Sequence, residues 1–155
     1  GSALLTAALV LLLITNMTGA VTALGDTLFP RQPALDASLW ADLRADITAG
    51  EHFLVRLRIV HPLVAVLAAM VAFAAAAPGI RSPGSSAERM VSATAMSATL
   101  GQVVLGLVNV ALGAPGWMQI LHLLMAQVVW LSIWLLRMVP AGASKPAVRA
   151  ALHAV

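Results

Sequence analysis

Apolar positions in this chain come in long unbroken runs rather than at helical or strand spacing. Ser2 to Gly25 contains no Asp, Glu, Lys or Arg, Ile59 to Ile80 contains none, and Met90 to Leu136 runs 47 residues without one. One bilayer crossing takes roughly 20 apolar residues. The third run therefore holds two crossings, with Gly113-Ala114-Pro115-Gly116 as the turn between them. The pattern predicts an all-α membrane protein, a bundle of four transmembrane helices near 3–24, 56–77, 90–112 and 117–138. The bundle domain spans 1–139 and is followed by a tail at 140–155. Between the first two spans, Leu35, Leu39, Leu43 and Ile47 recur every four residues beside Trp40, with Asp36, Asp42, Arg44 and Asp46 elsewhere. That spacing predicts a short amphipathic helix lying in the interface, either a lid or a solvated connector with a greasy underside.

Composition agrees with this picture and narrows the chemistry. The chain is 61% hydrophobic and 10% charged, against about 45–50% and about 25% for a soluble domain. Its partner is therefore the lipid bilayer. The absence of cysteine removes disulfides, iron–sulfur clusters and thiolate zinc sites. The net charge of +3 is spread over the connecting segments, a topology signal rather than a nucleic-acid surface. Arg81, Arg89, Arg137, Lys145 and Arg149 fall on one side with Glu88 as their only acid, whereas the first loop is mixed. Both termini are thus expected in the cytoplasm, with the first loop facing outward. The opening run starts Gly-Ser with no basic segment before it, so it reads as a span and not as a signal peptide.

The stretch Glu51 to Ala69 stands out, because it carries Glu51, His52, Arg56, Arg58 and His61 at the start of an apolar span. Ionisable groups at membrane depth mark function more often than packing. The second and fourth spans run in the same direction. At about 1.5 Å per residue, His61 lies roughly 4–5 Å inward of Arg58 and His122 roughly 7–8 Å inward of Trp117. Two imidazoles thus reach similar depth on helices that can be neighbours. Ala65, Ala68 and Ala72 follow His61 on its face, Ala126 follows His122, and Met118 and Met125 flank it. A single buried histidine is usually an interhelical hydrogen bond. Two at one depth, with arginine above and alanine below, favour a haem held by both imidazoles, with Arg58 near its propionates. A zinc or iron site with carboxylates is disfavoured by the lack of an acid at that depth, and a proton relay by the lack of an intramembrane Asp or Glu. Gly19 and Gly25 near the end of the first span allow a flat ligand, or simply another helix, to come close. Pro62 is harmless in a first turn but disruptive inside a helix; the sequence leaves both starts open.

Four stretches in order, TGAVTALGDTLFP, the outer histidine of span two, LGQVVLGLVNVALG and LHLLMAQ, resemble the haem A synthase family over most of the chain. The resemblance is to its C-terminal four-helix half. It implies a haem b cofactor with His61 and His122 as axial ligands, and Arg58, Arg56, His52, Gly19, Gly25 and Gln102 around it, on the outer side of a bacterial plasma membrane. It further implies a part in oxidising the C8 methyl of haem O to the formyl of haem A. The family's substrate site lies in its other half, so a second four-helix half or another copy is expected as partner. The glutamate and His-Arg pair of that half are absent. Glu51, ten residues before His61, is the nearest acid and reads as an interface residue, so no catalytic residue is assigned. The alternative is a b-type electron carrier or haem-bearing subunit of a respiratory or photosynthetic complex, without oxygenation activity.

Overall fold

The computed structural model describes residues 1–29, 53–81 and 84–139. Among them are four helices, each long and apolar enough to cross a membrane: α1 (Ser2–Leu28), α2 (Phe53–Arg81), α3 (Ser86–Ala111) and α4 (Gly116–Met138). The amphipathic helix expected within 31–50 and the tail at 140–155 lie outside the described residues. Consecutive helices pack on one another, α1 touches α4 to close the ring, and α2 and α4 face each other across the diagonal with little direct contact. This is a four-helix bundle, with four-residue connections from α2 to α3 and from α3 to α4. Its rim is apolar, with Leu13, Met17, Leu63, Val66, Leu107, Leu123 and Leu131 among the exposed side chains. Those residues suit lipid rather than water, and the chain is an integral membrane protein.

Helix ends are set by local chemistry, and they extend past the uncharged windows. Ser85 Oγ accepts from Glu88 N at 3.0 Å, while Glu88 Oε2 accepts from Gly84 N at 2.7 Å. This Ser-x-x-Glu box starts α3 at Ser86, four residues before the apolar run. At its other end, Ala114 N donates to Asn109 O and Gly113 N to Val110 O. That is a Schellman closure with Gly113 at φ 73°. Ala114 follows at φ 57°, and Pro115 then caps α4. The expected turn at 113–116 is therefore present. Within the helices, Thr6, Thr15, Thr22, Thr27, Thr94 and Thr99 return their hydroxyls to the carbonyl four residues back. No hydroxyl in that set is left asking for water in hydrocarbon.

Helix α2 resolves the alternatives at Pro62. The helix begins at Phe53, so both Pro62 and Pro78 lie inside it. Pro62 has no N–H for the carbonyl of Arg58, one turn earlier. The helix also runs through Pro78-Gly79, where the apolar run suggests an end, because Gly79 serves packing. A Cβ there would collide with Ser92 Oγ on α3 and stand 3.0 Å from Ser92 Cβ. Gly79→Ala is accordingly expected to cost about 1–3 kcal/mol by overpacking. Unfolding in detergent measures this, and adding Ser92→Gly should restore most of the loss.

The core occupies the end of the bundle where α1 starts and α4 finishes. Ala8, Ala72, Ala75, Ala76, Ala95, Ile133 and Leu136 form it. Small residues let these helices approach closely. Ala72 therefore fills the core instead of leaving space below His61.

Candidate functional site: two facing imidazoles

His61 on α2 and His122 on α4 point at each other across the diagonal of the bundle. Their ring centroids are 6.5 Å apart and their planes are 85° from parallel. The two rings thus lie at one level of the bundle. Each ring rests on a glycine of the preceding helix. A Cβ on Gly19 of α1 would stand 3.0 Å from His61 Cε1, and one on Gly106 of α3 would stand 3.1 Å from His122 Cε1. The two hairpins, α1–α2 and α3–α4, therefore repeat one device: a glycine on the first helix makes room for an imidazole on the second.

Hydrogen bonding differs between the rings. Thr18 Oγ1 lies 3.3 Å from His61 Nδ1. The Gln102 side-chain amide lies 3.2 Å from His122 Nε2. His122 Nδ1 and Gln102 Oε1 are buried without a hydrogen-bond partner, an arrangement that carries a cost in a dry interior.

Arg58 is buried, and its chemistry is taken up by α1. Its Nε sits 2.7 Å from Asp26 Oδ1. One terminal nitrogen donates to the Gly25 carbonyl at 3.0 Å, and also to that of Phe29. A guanidinium at a helix C-terminus meets both the orphan carbonyls and the negative end of the dipole. Gly25 thus contributes its carbonyl to Arg58 in a tight helix contact. Arg56 lies in the opening turns of α2, with its side chain outside what is described; Glu51 and His52 lie outside the described residues.

Three further members of this constellation are Asp26, Thr18 and Gly106. All three sit in stretches already singled out, TGAVTALGDTLFP and LGQVVLGLVNVALG. Only the order of helices around the ring tells which side chain each one meets.

Among the described residues no group of three or more His, Cys, Asp or Glu could hold a bare metal ion. Two imidazoles suffice only for a metal that brings its own equatorial ligands, as haem iron does. His61 and His122, with 6.5 Å between their ring centroids, are the residues that would hold such a metal. A groove of about 520 Å³ between α3 and α4, lined by Met90, Thr94, Ala98, Met125 and Val128 among others, contains neither histidine.

Fold and site together define a polytopic membrane protein with a pair of imidazoles facing each other inside a four-helix bundle. Residues 2–134 match the family described as cytochrome oxidase assembly protein, COX15-CtaA. The chain belongs to that family, the haem A synthase family that its motifs resemble. Two relatives, from two strains of Thermus thermophilus, are each named Protoheme IX farnesyltransferase. Each is 48% identical to this chain over 124 residues, which cover 79% of the chain. The matched segment is only 19% of either relative, so the chain spans about a fifth of their length. No solved structure matches it.

Proposed function

We propose that this chain is the haem-bearing four-helix half of a haem A synthase-type enzyme, with His61 and His122 as axial ligands of a b-type haem. The observation that carries this reading is the pair of imidazoles, converging from diagonal helices with 6.5 Å between their ring centroids. When bound, such a haem supplies one-electron chemistry, in support of the oxidation of the haem O C8 methyl to a formyl group. The protein's own part is to hold and orient. Gly19 and Gly106 give the rings their places, and ligation through His122 Nε2 requires the Gln102 amide to turn away from it. Arg58 stands one turn toward the helix start from His61 and is the natural partner for a propionate, with Arg56 and His52 as further cationic candidates. Asp26 pairs with Arg58 from α1.

Family membership supports a role in haem A biosynthesis, and the names of the relatives tie the matched segment to proteins that handle haem. The family's substrate haem and catalytic acid belong to its other half, whose glutamate and His-Arg pair are absent from these residues, so they are assigned to a second four-helix half or another copy. By the charge distribution, the haem end faces outward from a bacterial plasma membrane and both termini are cytoplasmic. A second reading, a b-type electron carrier without oxygenation activity, is favoured by one observation. Among the described residues the acid nearest the site is Asp26, and its carboxylate is paired with Arg58.

The optical spectrum of the chain purified after expression with ample haem tests the proposal. A low-spin, six-coordinate b-type spectrum is expected. A colourless, well-folded protein would overturn both readings, and formation of haem A on co-expression with a partner half would select the first.

A further inference from the structure

We infer that Thr18 is a positioning residue: it fixes the tautomer of His61, keeping the proton on Nδ1 and the lone pair on Nε2. Thr18 Oγ1 has two neighbours, the Thr15 carbonyl at 3.0 Å and His61 Nδ1 at 3.3 Å. A hydroxyl has one proton and two lone pairs, and a carbonyl can only accept. The proton therefore goes to Thr15 O, along the shorter contact. Toward His61 the oxygen presents a lone pair, and Nδ1 must be the donor. A neutral imidazole carries a single N–H, so Nε2 is left as the basic nitrogen.

Two further features of α1 act in the same sense. Thr15's own hydroxyl is committed to Leu11 O at 2.8 Å, so it offers no competing proton. Gly19 lets the ring lie against the α1 backbone, within reach of Thr18. The other half of the site has no such device. His122 meets Gln102 through Nε2, and its Nδ1 has no partner. The two histidines are therefore unequal: α1 prepares His61 to ligate through Nε2, whereas His122 must first lose a contact there.

A ligating histidine generally donates its other N–H to an acceptor, which orients the ring and raises its basicity. The role given to Thr18 rests on the proposed ligation by His61, but the tautomer itself does not, and this separates the tests. In the ligand-free chain labelled with ¹⁵N-histidine, a His61→Gln difference spectrum identifies the His61 signals. They are expected to show Nδ1 protonated and Nε2 bare. Thr18→Val, similar in shape but without the hydroxyl, should shift the population toward Nε2–H, and Thr18→Ser should restore it. In the haem-loaded chain, Thr18→Val should raise the midpoint potential and weaken haem retention by roughly tenfold, the lower end for loss of such a partner, with Ser again close to wild type. The inference is overturned if wild-type His61 is the Nε2–H tautomer, or if Thr18→Val leaves the ring nitrogens unchanged. A chain that takes up no haem but shows the expected nitrogen signals would overturn the ligation and uphold the tautomer assignment.

Discussion

Replacing either His61 or His122 with alanine is expected to abolish the six-coordinate haem spectrum and to weaken haem retention by more than about 100-fold. That lower bound follows because loss of an outer partner of a metal ligand already costs about 10–100-fold, and here the ligand itself is removed. The fold should survive. Both rings are only partly buried, and the core residues around Ala72, Ala76 and Ile133 lie at the other end of the bundle. Circular dichroism should therefore be unchanged while the Soret band is lost. The two single variants should behave alike, because one remaining imidazole cannot give bis-histidine coordination. If His61→Ala lost the haem and His122→Ala kept a six-coordinate spectrum, His122 would not be the second ligand.

The second large effect is expected at Asp26. Removing one partner of a buried ion pair leaves the other charge uncompensated, at a cost of about 3–5 kcal/mol. Asp26→Ala should therefore destabilise the protein by an amount of that order in detergent unfolding. Arg58 keeps its bonds to the Gly25 and Phe29 carbonyls, which places the loss at the lower end. The double variant Asp26→Ala/Arg58→Met should recover much of it, since both charges are then gone. Haem binding separates the structural role from the proposed one. If Arg58 serves a propionate, the double variant should be stable yet hold haem less well. Wild-type retention in that variant would confine the pair to joining α1 and α2.

Much of this fold is legible in the sequence, because a span is a local property: an uncharged run of sufficient length has few alternatives in a bilayer. The ends are less legible when judged by charge alone. Asp26 closes the uncharged window of α1, yet the helix continues to Leu28, because a residue on another helix neutralises the carboxylate. Glu88 and Arg89 delay the apolar start of α3, yet the Ser85–Glu88 box begins the helix at Ser86. The histidine pair is legible because parallel spans share a depth scale. Its surroundings are not. Thr18, Gly106 and Asp26 acquire meaning only from the helix each one faces, and Ala72, on the histidine face by periodicity, turns out to be core.

The repeated glycine–imidazole device has a thermodynamic consequence. Each hairpin is self-contained at its own ring, with Gly19 beneath His61 and Gly106 beneath His122, and the two rings belong to opposite hairpins. A ligand gripped by both imidazoles binds the closed arrangement and not the separated hairpins, so its occupancy is linked to assembly. At a hundredfold excess over Kd such linkage is worth about 2.7 kcal/mol. The bound group would then act as a clasp between two halves of one chain, and its supply would set how firmly they stay together in the bilayer.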